Sequence, residues 1–188
     1  MAMTKWDMAQ IAERQKHTMD MSDAIRHYNI SYTQYFNFLG IDRDIKGKVI
    51  AEIGPADIPG LYYCKGAQNS FVIEPMPSDI LPKLGIKIRK TKAEKIDYSK
   101  VDEVWLFNVL QHVENPSLIV QKVKKAKVVR WFEPVEQGTD ACHLHNLTHE
   151  MFVDWFGVSN WYTAKSDVQA FHTAPCSYGI YGNIRATW

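Results

Sequence analysis

Two carboxylates and a turn glycine are the first residues in this chain whose types and spacing suggest chemistry. Glu52 and Gly54 stand in AEIGPADIPG (51–60), directly after the apolar run KVIAEI. A glycine in such a turn lets the backbone pass close to a ligand, because a side chain there would fill the ligand's volume. Glu74 follows about 20 residues later, at the end of the apolar run SFVIEP, where an acid can accept hydrogen bonds from ribose hydroxyls. Three histidines join them: His112 in VLQHV, and His143 and His145 in CHLHNLTHE. Imidazole titrates near neutrality and suits a general base acting on a hydroxyl or a protonated amine. Each histidine also has a plain structural reading as a donor or acceptor for backbone. Position favours His143 or His145 as the substrate-facing group, with His112 as a structural neighbour.

The same loop raises a metal reading. Cys142, His143, His145 and His149 are all chemically able to hold zinc, but their spacing matches no closed structural pattern. Asn108 and Gln111, in the turn NVLQHV, are poor ligands for a hard cation. No metal is expected. Two basic clusters raise a nucleic-acid reading: Lys83, Lys87, Arg89, Lys90, Lys92 and Lys95, then Lys122, Lys124, Lys125 and Lys127. Such stripes can follow a phosphate backbone, and more often they are solvated surface.

These residues need elements to position them, and the periodicity supplies candidates. Before residue 46 the pattern is helical. A polar first helix includes Ile11 and Arg14, and an aromatic stripe of Ile25, Tyr28, Tyr32, Tyr35, Phe36 and Leu39 ends at Gly40. The stripe reads as core packing, or as tyrosines leaning over a pocket. After residue 46, short apolar runs alternate with helical stretches. Strands are expected at 48–53, 70–75, 86–89, 101–109 and 127–134. Helices are expected at 58–66, 78–85 (broken), 116–125 and 148–157, the last opened by Thr148 and closed by Gly157. Residues 160–188 carry alternating aromatics and read as two strands. Apolar strands alternating with helices mean a parallel sheet covered on both faces, and the tail adds an antiparallel pair at one edge. Ligands of such sheets bind beyond the carboxyl ends of the strands, where strand order reverses.

Composition narrows the classes. The 188 residues suit one compact domain, and a net charge of +1 gives no global pull toward nucleic acid or membrane. The charged amino-terminal stretch is unlike a secretion signal, and no apolar run approaches the roughly 20 residues of a membrane helix. Three scattered cysteines (64, 142 and 176) argue against a disulfide framework and for a cytoplasmic protein. Nothing in the sequence fixes an oligomeric state.

From about Lys48 onward the chain resembles the class I S-adenosylmethionine-dependent methyltransferases of the small-molecule type. VIAEIGPADIPG is similar to their first motif, so the resemblance places Glu52, Gly54 and Ala56 around the methionine part of the cofactor. FVIEP is similar to the second, which gives Glu74, beside Pro75, the ribose. KAEKIDY (92–98) resembles the segment lining the adenine, which implicates Ala93 and Glu94. VWLFNVLQHVENP (104–116) resembles the strand-to-helix turn beside the sulfonium, at Asn108. Ala56 and Ile58 depart from the family's glycines, so the loop follows a different path set by Pro55 and Pro59. Lys92 replaces a common acid, which moves adenine recognition to Glu94 or backbone. The implied fold is α/β and Rossmann-like, a doubly wound, mostly parallel seven-stranded sheet with an antiparallel edge hairpin. An N-terminal helical cap (1–45) precedes the methyltransferase unit (46–188). The implied activity is methyl transfer to an O or N atom of a small-molecule acceptor. Nucleic-acid methylation is the first alternative, although Asn108 is followed by VLQ and not by the Pro-Pro-Tyr of base-amine methylases. The second is a non-catalytic, cofactor-binding partner subunit.

Overall fold

The computed structural model describes residues 3–16, 19–163 and 174–182. Among these residues seven strands are present: β1 (Ile50–Ile53), β2 (Phe71–Ile73), β3 (Ile88–Arg89), β4 (Glu103–Phe107), β5 (Val128–Pro134), β6 (Asn160–Tyr162) and β7 (Cys176–Gly182). They form one sheet in the order β3-β2-β1-β4-β5-β7-β6. The first five are parallel, while β7 runs antiparallel to both β5 and β6. This is the mostly parallel sheet with an antiparallel pair at one edge that the apolar runs and the tail imply. Among the described residues the α-helices are α1 (Lys5–Lys16), α2 (Met21–Leu39), α3 (Pro116–Val123) and α4 (His149–Phe156).

Alternation along the strands splits the core into two layers. Ala51, Ile53, Phe71, Ile73, Val104, Leu106, Val129 and Trp131 face α3 and α4, where Ile119, Val120, Val123, Phe152 and Phe156 close the layer. Ile50, Val72, Trp105, Phe107 and Phe132 face the other way, against Tyr32, Tyr35, Phe36 and Leu39 of α2. The sheet is therefore covered on both faces. One acid inside these strands is paired with cations: Glu103 accepts from Arg130 Nε at 2.7 Å and from Lys48 Nζ, just before β1, at 2.8 Å. Helix α2 starts at Asp20, whose carboxylate accepts the Asp23 amide, and stops at Gly40 in the left-handed region.

Several connections are tighter than their periodicity suggests. The stretches 58–66 and 78–85 form short 3-10 turns (Gly60–Tyr63, Ala67–Asn69 and Leu81–Leu84) instead of α-helices. Pro59 and Pro82 lack the amide hydrogens that a longer helix would need here. The strand expected over 101–109 ends at Phe107, because Asn108 turns the chain with φ +55°.

Candidate active site

Strand order reverses between β1 and β4, and the chain leaves both strands through sharp turns. Gly54 (φ +59°) and Ala56 (φ +53°) follow β1, and Asn108 (φ +55°) follows β4. A methyl group on Gly54 would lie 2.3 Å from Cγ2 of Val109. Close approach of these two turns, together with the backbone angle, is thus what requires glycine at position 54. Ala56 takes the left-handed backbone despite its Cβ, at a cost of about 1–2 kcal/mol. Its neighbours Pro55 and Ile58, the latter fully buried, hold it there.

Buried carboxylates brace both turns. Glu52 is 1% exposed. Its Oε1 accepts Tyr32 Oη (2.6 Å) and the Gly60 amide (2.8 Å), and its Oε2 accepts the Leu61 amide (3.0 Å). Glu133, fully buried at the end of β5, accepts the Val109 amide at 2.9 Å and the Leu110 amide at 3.1 Å. Burial pushes the Glu52 carboxyl up to about 7 and the Glu133 carboxyl up to about 8, and in each case the hydrogen bonds pull part of the way back. Burial likewise raises the phenols of Tyr28, Tyr32 and Tyr35, with nearby carboxylates adding to it.

A cavity of 310 Å³ opens above these turns. Its floor is Ile53, Gly54, Pro55 and Ala56 after β1, and Phe107, Asn108 and Val109 after β4. One wall is Glu74 and Pro75 after β2, with Lys92, Ala93 and Glu94 after β3. Trp6, Gln10 and Glu13 of α1 and the tyrosines of α2 roof it. The roof is fastened by side chains: Gln10 donates to the His112 carbonyl (3.0 Å), Arg14 to the Pro77 carbonyl, and Lys92 Nζ rests 4.0 Å from the Trp6 ring centroid.

The expected site residues divide clearly. Gly54, Ala56, Glu74, Pro75, Ala93, Glu94, Asn108 and His112 all line the cavity. Glu52 does not, since its oxygens hold Tyr32 and the loop. One Glu74 oxygen is steadied by the Met76 amide at 2.9 Å. His143 and His145, expected to face substrate, lie outside the lining. His143 Nδ1 sits 2.9 Å from Asp140 Oδ2 with its ring against His112, and His145 Nε2 meets the Val113 carbonyl at 2.9 Å. The Asp140 carboxyl is drawn down to about 2, chiefly by the His143 and Cys142 amides that it accepts. The loop after β5 therefore buttresses the turn after β4, and of these three histidines only His112 lines the cavity. His112 Nδ1 lies 3.2 Å from the Cys142 carbonyl, so Nδ1 carries the hydrogen and Nε2 faces the Gln111 amide at 3.3 Å.

Sequence reasoning missed Glu133, Glu13 and Trp6. Glu133 had one usable signal, a lone acid inside the apolar run VVRWFEP. Glu13 and Trp6 had none beyond their place on a polar helix. Among the described residues, no three His, Cys, Asp or Glu side chains converge on a metal position. Nor is any described helix long and apolar enough to cross a membrane. Several cations of the basic clusters are engaged internally: Lys92 with Glu114, Lys127 with Asp102, Lys122 with the Glu94 carbonyl, and Arg89 over Phe71.

No protein-family model and no curated protein matches the sequence. Solved structures do match in shape. A chain in the complex of the Haloferax volcanii Trm112 methyltransferase activator is 10% identical with a TM-score of 0.62, covering 97% of this chain and 100% of that one. The N-methyltransferase NodS of Bradyrhizobium japonicum, in complex with S-adenosyl-L-homocysteine, is 13% identical with a TM-score of 0.57, covering 84% and 88%. The small RNA methyltransferase HEN1 is 13% identical with a TM-score of 0.59, covering 83% of this chain and 25% of HEN1. The chain likewise spans only 57% of a matching protein from an antibiotic biosynthesis pathway of Anabaena variabilis. Strand order, antiparallel edge and the likenesses to the Haloferax volcanii, NodS and HEN1 structures agree: the chain has the fold of the class I S-adenosylmethionine-dependent methyltransferases.

Proposed function

We propose that this chain is an S-adenosylmethionine-dependent methyltransferase that modifies an O or N atom of a small molecule. The observation that carries the reading is the cavity over the β1 and β4 turns, with Glu74 at the end of β2. In this reading residues 1–45 cap a cofactor-binding unit formed by 46–188. The residues fit such a cofactor by chemistry: a carboxylate for ribose hydroxyls at Glu74, turns stripped of bulk at Gly54 and Ala56, and Ala93 and Glu94 for the adenine. When bound, the cofactor supplies a methyl group on a positively charged sulfur. Glu52 and Glu133 keep the floor rigid, so the acceptor meets that methyl group in a fixed geometry. Two further observations support a small acceptor over nucleic acid. The cavity is roofed by α1 and α2, and Lys92, Lys122, Lys127 and Arg89 are spent on internal contacts. Titration calorimetry with S-adenosylmethionine and S-adenosylhomocysteine is the test. We expect binding of both, and no heat together with no thermal stabilisation at millimolar ligand would refute the reading. Methyl transfer to a nucleic acid, or to no acceptor at all, would instead select one of the two alternatives.

A further inference from the structure

The part of the cavity roofed by α1 and α2 has its own chemistry. Glu13 of α1 reaches in with its side chain 29% exposed, and its Oε2 lies 3.9 Å from His112 Nδ1. Tyr28 stands near enough for the Glu13 charge to help raise its phenol, after burial and Asp57. Around the whole cavity, four carboxylates (Glu13, Glu74, Glu94 and Glu114) face a single lysine, Lys92, an excess of three negative charges. That lysine already shows how the lining treats an ammonium group. Its Nζ sits 4.0 Å from the Trp6 ring centroid and 2.7 Å from Glu114, aromatic face on one side and carboxylate on the other. Glu13 with Tyr28 offers the same pair of groups in the roofed part.

We infer that the acceptor is a small amine, cationic in solution, which Glu13 and Tyr28 recognise as its ammonium. The inference rests on the methyltransferase reading above and names the acceptor class for that site. An anionic acceptor, carboxylate or phosphate, would enter against the carboxylate excess. An ammonium enters with it. Glu13 then has a second task. The nitrogen must give up one proton to free the lone pair that takes the methyl carbon, while the carbon–sulfur electron pair stays on sulfur. Glu13 receives that proton. His112 braces the turn after β4 and is not needed for the transfer, because protein groups occupy both of its ring nitrogens.

The test uses simple probes near neutral pH. Ethanolamine and benzylamine, with their anionic counterparts glycolate and benzoate, are titrated into the full chain with and without saturating S-adenosylhomocysteine. The amines should bind about tenfold tighter than the anions, and Glu13→Gln should remove that preference. Glu13→Asp should restore it in part. S-adenosylhomocysteine affinity should stay within about threefold in both variants, since Glu13 belongs to the roof and is not among the residues assigned to the cofactor. Amines that bind no better than the anions, or do not bind, overturn the inference in the parent protein alone, whatever the variants do. An unchanged amine preference in Glu13→Gln overturns the role of Glu13. Failure of the cofactor reading shows separately, as absent S-adenosylhomocysteine binding in the same titrations.

Discussion

Tyr32→Phe removes one hydrogen atom's worth of bonding from the centre of the site and nothing else. The Tyr32 phenol donates to Glu52 Oε1 at 2.6 Å in a fully buried pocket, and phenylalanine keeps the ring in place. Because the Glu52 carboxyl is raised from 4.5 to about 7, its ionised form in the fold is disfavoured by about 3 kcal/mol relative to the unfolded chain. The sign follows from proton counting. Between these two values the folded state holds a proton that the unfolded state has released, so stability falls as pH rises toward about 7. Of the groups that oppose burial, the Tyr32 phenol is the first. Losing a bond to the ionised carboxylate should cost about 2 kcal/mol, and losing one to the protonated acid about 1 kcal/mol. For a chain of this size that is about 4–8 °C in Tm above neutrality and about 2–4 °C in mild acid. Thermal melts of parent and variant at about pH 5.5 and pH 8.5 measure both. Equal losses at the two pH values, or a greater loss in acid, would refute the assignment of Glu52 as a buried acid held by Tyr32.

Other consequences can be checked alongside. Gly60→Ala places a methyl group 2.7 Å from the Tyr32 ring, so urea unfolding should show a loss of about 1–3 kcal/mol. A double variant with Tyr32→Phe should then lose less than the sum, whereas strict additivity would separate the two sites. Arg130→Leu leaves Glu103 buried with Lys48 and the Trp105 indole N–H as its partners, and the urea midpoint should report a loss of about 3–5 kcal/mol; a loss under about 1 kcal/mol would mean that the pair matters little. Glu74→Ala should weaken S-adenosylhomocysteine binding about 30- to 150-fold by calorimetry, the equivalent of about 2–3 kcal/mol, with Tm little changed. An unchanged dissociation constant would remove Glu74 from the site. His143→Ala and His145→Ala should keep cofactor affinity within about threefold, and a collapse of binding in either would show that the loop after β5 does more than buttress.

The sheet was legible because its strands are apolar on both faces, a pattern that only a covered parallel sheet produces. Glu74 was legible for a related reason: an acid closing an apolar run has nowhere to go but the strand's end. The histidines were not. CHLHNLTHE places His143 and His145 on one loop at the correct edge of the sheet, but only tertiary contact decides which way a loop faces. Asp140 and the Val113 carbonyl turned His143 and His145 away. The 3-10 turns were hidden because GLYY and LPKL have helical spacing without the length to nucleate an α-helix. Glu13 was invisible for a simpler reason. A polar helix looks solvated until a cavity is found beneath it.

The short edge strands give the first basic cluster a use that has nothing to do with ligands. Strand β3 is only two residues long, Ile88–Arg89, and beyond it the sheet has open hydrogen-bonding groups. Exposed Lys87 and Lys90 flank it on either side. An unpaired edge is a template for another strand, and natural sheets blunt it with brevity and with lysine. A second chain adding here would have to bury those ammonium groups for at most two rungs of ladder. At the opposite edge, β6 is three residues long and ends the sheet just as abruptly. Lys87 and Lys90, which read as part of a phosphate-binding stripe, thus stand where lysine discourages extension of the sheet.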